Sequence, residues 1–170
     1  MTSSEVAARE VLRYPHPLLK QRCEPVPPGD ELDLVARDLL DTMRSFPDCV
    51  GLAAPQIDEL VRVVVVDVSE HKKATTSHGL LVLANPVVVE TSGDELGREG
   101  CLSIPDLTAN VRRATWIRVE AVLPAGETVA IETDGFEARA LLHELDHLDG
   151  VLFLDRIASG ADLFARKHYG

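Results

Sequence analysis

Aromatic residues are scarce in these 170 residues: one Trp, two Tyr and four Phe make up 4% of the chain. Packing must therefore fall to Val, Leu and Ala, within an ordinary apolar fraction of 45%. The three cysteines, Cys23, Cys49 and Cys101, are odd in number and scattered, which excludes a disulfide framework and fits a reducing cytoplasm. No apolar run is long enough to cross a bilayer, so no membrane association is expected. Met1–Glu5 lacks the basic and apolar regions of a signal peptide, and a cytoplasmic location is the expectation. Lys and Arg number 17 against 28 Asp and Glu, a net charge of −11, and no basic stripe with interleaved aromatics occurs. That excludes a nucleic-acid-binding surface. There is no internal repeat and no low-complexity segment, and the length fits one domain, 1–170, with a sizeable core.

What is present centres on His143-Glu144-Leu145-Asp146-His147. Two imidazoles four residues apart on a helix stand on the same face, half of a tetrahedral metal site, with Glu144 beside them to handle a proton. Ala138, Ala140, Leu141, Leu142 and Leu145 favour that helix, and Gly150 is placed to end it. A catalytic metal needs a third protein ligand and an open position. The downstream run copies a long zinc-protease pattern up to its last position, where the required third His is Phe153. No Glu follows Glu144, so a small metalloprotease would have to use Asp155, Asp162 or His168. Upstream, Cys101 lies in Glu99-Gly100-Cys101-Leu102-Ser103, a polar segment that reads as a strand-edge loop. By spacing alone it is either a thiolate ligand or a buried structural cysteine. Gly51-Leu52-Ala53-Ala54-Pro55-Gln56 reads as a tight turn whose Gln56 is either a surface amide or a donor to developing negative charge.

Taken together and in this order, the three segments resemble peptide deformylase, whose motifs are Gly-x-Gly-Leu-Ala-Ala-x-Gln, Glu-Gly-Cys-Leu-Ser and Gln-His-Glu-x-Asp-His. The resemblance runs from about Val11 to Ile157. It implies one divalent metal ion on Cys101, His143 and His147, Fe(II) in the cell, with Zn(II) or Ni(II) able to occupy a purified sample. It implies removal of the formyl group from formyl-methionyl peptides, with Glu144 as general base and the Gln56 amide and the Leu102 backbone N–H facing the oxyanion. The substrate would lie along Val50 and Gly51 as an added strand, with Phe136 and Arg139 at its side-chain pocket. Asp146 would hold a ligand imidazole or an arginine, with Arg113 the matching partner. The resemblance also leaves room for a transient ribosome contact.

Three positions depart from the family pattern. Cys49 replaces the first Gly, and Leu142 replaces the Gln before the first metal His. Arg139, four residues before His143, shares its helix face. Its guanidinium is expected to reach solvent with its stem lining the methionine pocket. The alternative is that it recruits a polar or anionic substrate group and weakens the preference for methionine.

The fold expectation is α+β, antiparallel strands wrapped on the central metal helix. Glu10–Pro15 is expected as a short edge strand, Pro17–Lys20 as a helical turn with His16 at the surface or capping it, and residues 24–29 as an extended connector. Asp30 is the expected N-cap of an amphipathic helix over residues 31–46. Val61–Val68 reads as a buried strand. Residues 69–79 read as a polar, mobile loop with His71 and His78 solvated, and residues 80–90 as one or two strands bent at Asn85-Pro86. Residues 91–98 lead into the Cys101 loop. Val111–Leu123 reads as one strand with Trp116 packed, turning at residues 124–127 into a return strand over 128–132. In the tail, Ile157, Leu163 and Phe164 are candidates to dock, and the last residues are expected to fray.

Overall fold

A computed structural model describes residues 8–157 and 159–166. His168 and the frayed end expected of the tail lie outside the described residues. The elements are α1 (Asp30–Arg44), β1 (Gly51–Ala53), β2 (Val63–Val66), β3 (Leu81–Ser92), β4 (Glu95–Cys101), β5 (Ile104–Arg113), β6 (Trp116–Val122), β7 (Thr128–Asp134), α2 (Gly135–Leu148) and β8 (Leu163–Ala165). Two antiparallel sheets flank α2, one of five strands in the order β1-β2-β3-β6-β7 and one of three in the order β4-β5-β8. The α+β architecture is thus the one expected. Among the described residues no helix is long and apolar enough to cross a membrane.

The unbroken valine run of β2 has a direct physical cause. Val64 and Val66 pack with α2 residues Leu141, Leu145 and Leu148, while Val63 and Val65 pack with α1 residues Leu32, Val35, Leu39 and Met43. A strand covered on both faces needs no polar alternation, and all four valines are fully buried. Along α2, Ala138, Leu141, Leu145 and Leu148 recur at helical spacing and face this core. Glu137, His143, Glu144 and His147, on other faces of the helix, are buried too. A third cluster, with Leu19, Ile104, Val111, Leu152 and Phe153, lies behind Cys101.

Some expectations need correction and others hold. Glu10–Pro15 is not a strand: Leu12 N–H donates to the Gln56 carbonyl (2.7 Å) and Tyr14 N–H to the Ser103 carbonyl (2.9 Å), single bonds to two segments rather than a ladder. Asp30 is the first residue of α1 and Gly29 is its cap, with no side-chain capping bond. Residues 91–98 are mostly strand rather than lead-in: β3 continues to Ser92, β4 begins at Glu95, and Gly93-Asp94 joins them. The single strand expected over 111–123 is two strands in different sheets, β5 and β6, broken at Ala114-Thr115, where Thr115 N–H donates to the Ser92 carbonyl (3.0 Å). Pro17–Lys20 is a 3-10 turn, and His16 Nδ1 caps it by accepting from Leu18 N–H (3.2 Å). The tail docks as β8, with Leu163 opposite Ala109 and Phe164 opposite Thr108 on β5. The polar 69–79 segment is tied to the start of α2: Thr76 Oγ1 bonds Asp134 (2.6 Å) and His78 N–H donates to Glu137 (2.7 Å). His78 also places Nδ1 2.5 Å from Glu137, and His71 stacks on Phe136 at 4.2 Å, so both rings are engaged rather than merely solvated.

Candidate active site

Each sheet delivers part of the site to one face of α2. Strand β4 ends at Cys101, which is 7% exposed rather than on an open loop, and α2 carries His143 and His147 one turn apart. One ligand atom from each of the three residues lies within 4.8 Å of the others. Cys101 Sγ is 3.4 Å from His147 Nε2. Tetrahedral ligands with ordinary zinc-like bond lengths stand about 3.6 Å apart, so the spacing suits one divalent ion. His143 Nδ1 lies 2.9 Å from Glu99, which leaves Nε2 as the atom that could meet an ion. Asp155, the downstream rival, is instead held by Lys20 and by Leu152 N–H. Phe153, where the protease pattern would place a third His, stacks against His143 with ring centres 6.0 Å apart.

Glu144 turns toward Gly51, where an added Cβ would sit 2.7 Å from Glu144 Oε2; β1 can pass the base this closely only without a side chain. Glu144 is 5% exposed and its Oε1 has no partner. Burial pushes its carboxyl up to about 7, partly offset by positive charge on His143. A base poised near neutrality suits proton transfer at pH 7. Burial and then the charge of its neighbour hold His147 well below the usual imidazole value, so it is a neutral donor ready for an ion. Gln56 is 1% exposed, not a surface amide: its Oε1 accepts from Ala53 N–H (3.0 Å), and its Nε2 donates to Ser103 Oγ (3.0 Å) and toward Cys101 Sγ (3.4 Å). The amide nitrogen is thus locked against the sulfur.

A cavity of about 560 Å³ opens over these groups, and Val50, Gly51, Leu102, Phe136, Arg139 and His143 are among its lining residues. Cys49 also lines it, its Sγ 3.1 Å from the Gly51 carbonyl, and burial followed by the Glu144 charge pushes its thiol up to about 12. Asp146 pairs with Arg113 (2.6 Å) and Arg156 (2.5 Å) rather than with an imidazole. The imidazole's acceptor is Glu99, which sequence reasoning quoted in the cysteine motif without giving it a role. Its carboxylate accepts from Arg113 through both Nε (2.8 Å) and Nη2 (2.9 Å), from Arg139 (2.9 Å), and contacts His143. Burial would raise the Glu99 carboxyl, but hydrogen bonds from Arg113 and His143 outweigh it and hold it well below the usual range. Alternation on β4 was the available signal, since Glu99 and Cys101 share an inward face.

Arg139 lines the cavity, as expected, but its guanidinium is neither extended into solvent nor free for a polar substrate group. Its guanidinium does not reach solvent but turns inward to Glu99, the Val111 carbonyl (2.8 Å) and the Glu95 carbonyl (2.8 Å). Gly97 makes the room, since a Cβ there would lie 2.7 Å from Arg139 Cζ. With three acceptors engaged, Arg139 braces the wall instead of offering a free charge.

Residues 8–162 match the family model described as Polypeptide deformylase. The chain is 42% identical over 154 residues to peptide deformylase 1 of Clostridium acetobutylicum, covering 90% of this chain and 97% of that one. It is 40% identical over 162 residues to peptide deformylase 2 of Vibrio cholerae, covering 95% and 94%. Among solved structures it is similar to the peptide deformylase of Thermotoga maritima, with a TM-score of 0.80, 35% identity and coverage of 89% and 99%. It is also similar to the Met-Ala-Ser-bound class I type b peptide deformylase of Acinetobacter baumannii, with a TM-score of 0.82, 32% identity and coverage of 90% and 100%.

Proposed function

The chain belongs to the polypeptide deformylase family, and we propose that Cys101, His143 and His147 hold its metal while Glu144 serves as general base. It is a metal-dependent hydrolase that removes the N-formyl group from peptides, and the metalloprotease alternative is not favoured. The observation that carries the site assignment is the convergence of one thiol and two imidazoles beside a buried, unpartnered carboxylate oxygen. A divalent ion bound there supplies Lewis acidity and lowers the pKa of a water toward neutrality.

The remaining work falls to side chains and backbone. Val50 and Gly51 align the peptide backbone as an added strand, with Phe136 beside the methionine side chain. Glu144 removes a proton as the water oxygen bonds to the formyl carbon. The Leu102 N–H faces the oxygen that gains charge, joined by the Gln56 N–H that otherwise points at Cys101 Sγ. Glu144 then returns the proton to the departing amine nitrogen as the C–N bond breaks, leaving formate and a free N-terminus. Glu99 fixes the ring of His143, and Arg113, itself held by Asp146, fixes Glu99. The working ion in the cell is Fe(II), in a single cytoplasmic catalytic domain that meets formyl-methionyl peptides as they leave the ribosome. Mixed thiolate and imidazole donors suit Fe(II), Zn(II) or Ni(II) alike. The test is formate release from a formyl-methionyl peptide by protein loaded anaerobically with Fe(II), Zn(II) or Ni(II) in turn. Turnover that tracks bound metal and is highest with Fe(II) is expected, and metal-loaded protein that releases no formate defeats the proposal.

A further inference from the structure

Three cations stand around the cavity without an acid. In a chain with 28 carboxylates against 17 Lys and Arg, a cation near a carboxylate is the ordinary case. Among the described residues, Lys73, Arg98 and Arg166 all line the cavity and none has a carboxylate within ion-pair distance. Of the acids that line it, Glu99 is neutralised by Arg113 and Arg139, Glu144 faces Gly51, and Asp48 comes from the loop after α1.

Arg98 is fixed in advance by neutral groups. Its Nε donates to Asn110 Oδ1 (3.1 Å), its Nη1 donates to Thr108 Oγ1 (3.3 Å), and its Cζ lies 3.8 Å over the Phe164 ring. Arg166 follows β8 directly, and its backbone N–H donates to the Asp106 carbonyl (2.8 Å). Its guanidinium crosses Gly100, where an added Cβ would lie 1.8 Å from Nη2. Arg98 and Gly100 are two apart on β4 and so share its outward face, while Glu99 between them points inward. The two guanidinia are therefore neighbours, next to the strand end that carries Cys101. Lys73 reaches the same space from the 69–79 loop and shares with Arg98 an adjoining cavity of about 370 Å³.

We propose that Arg98 and Arg166, with Lys73 beside them, bind a carboxylate that the peptide carries beyond its formyl-methionine, so that this enzyme favours formyl peptides with an acidic group close to the N-terminus. The inference rests on the deformylase reading above. Paired guanidinium forks match a carboxylate in geometry as well as charge, and the neutral anchors of Arg98 leave its charge available. Because the cations lie at a rim, the preference acts mainly through KM and weakens with salt.

The test measures kcat/KM of the metal-loaded wild-type protein on five peptides: formyl-Met-Ala-Ser amide, formyl-Met-Glu-Ala amide, formyl-Met-Ala-Glu amide, formyl-Met-Ala-Lys amide and the free acid of formyl-Met-Ala-Ser. At low salt an acidic peptide is expected to exceed the neutral amide by about fivefold or more, with the Lys peptide below both. Added NaCl should shrink that ratio while the neutral amide holds. A gain confined to the free acid assigns the C-terminal carboxylate, and a gain with Glu assigns a side chain; either supports the proposal. The double variant Arg98→Gln, Arg166→Gln should bring the acidic-to-neutral ratio to near one. Equal kcat/KM across the panel, within about twofold, overturns the inference while the neutral peptide's turnover leaves the deformylase reading standing. A preference that survives the double variant also overturns it. No formate from any peptide overturns the deformylase reading itself.

Discussion

Replacing Glu99 by Gln keeps the shape of the side chain and removes one buried negative charge from between three partners. Each carboxylate oxygen makes two bonds: Oε1 meets His143 Nδ1 and Arg113 Nη2 at 2.9 Å each, and Oε2 meets Arg113 Nε at 2.8 Å and Arg139 Nη1 at 2.9 Å. A glutamine must present an NH2 group to one of these pairs. Turned toward the guanidinia, it sets donor against donor. Turned toward His143, it forces Nδ1 to accept, which moves the imidazole proton to Nε2 and removes the lone pair a metal needs. Breaking a buried charge pair from one side costs about 3–5 kcal/mol. The lower end applies, because Arg113 keeps Asp146 and Arg139 keeps two carbonyls. Metal affinity should fall about 10–100-fold through the loosened ring. Urea unfolding of the metal-free proteins reads the first effect, and chelator competition for Zn(II) reads the second. Glu99 titrates below its unfolded value, so its contribution is complete above about pH 4.5 and is lost as pH falls toward the depressed folded value. The gap between wild type and variant should therefore close in acid. A variant within 1 kcal/mol of wild type at pH 7, binding Zn(II) within about threefold of its affinity, would refute the reasoning.

Glu144→Gln should retain metal and lose about 10²–10⁴-fold in kcat, read by formate release from metal-saturated protein; intact turnover would remove Glu144 as the base. In the metal-free protein the folded Glu144 carboxyl titrates near about 7 against an ordinary 4.5. The folded state then holds a proton that the unfolded chain releases, so stability falls as pH rises from about 4.5 through 7, by on the order of 3 kcal/mol. Unfolding free energies at pH 5 and 8 check this, and Glu144→Gln should flatten the difference. Arg139→Leu should cost about 1–3 kcal/mol of stability through its lost bonds to Glu99 and two carbonyls. It should leave the ranking of formyl peptides by first residue unchanged, because the guanidinium was never free to meet them; a large shift toward methionine contradicts that placement.

The parts of the fold that were legible in the sequence are those set by near neighbours. Helical spacing along α2, the valine run of β2 and the turn between β6 and β7 each declare themselves within a dozen residues. What depends on a distant partner stayed hidden. Alternation runs through Val111–Leu123 without a Gly or Pro to punctuate it, yet the chain changes sheets at Ala114-Thr115 because Thr115 is tied to Ser92, more than twenty residues earlier. Helical register correctly put Arg139 on the face of His143. Its acceptors come from β4 and β5, so nothing near it in sequence could show that the guanidinium folds inward.

Phe153 brings the local and the distant together. The string from His143 to Leu152 would serve a protease equally well, and Phe153 is the position where the two chemistries part. It is 2% exposed, closes the third core cluster and stacks on the ring of His143. Phe153 opens the 3-10 turn after α2, and with an apolar side chain there that turn offers no third metal donor at this position. On the proposed assignment the third donor comes from the β4-β5-β8 sheet, where Cys101 occupies the end of β4 that reaches α2. The same strand carries Glu99 on its inward face and Arg98 on its outward one. On the proposed assignment one strand therefore furnishes a metal ligand, the group that orients a second ligand and the charge at the cavity rim.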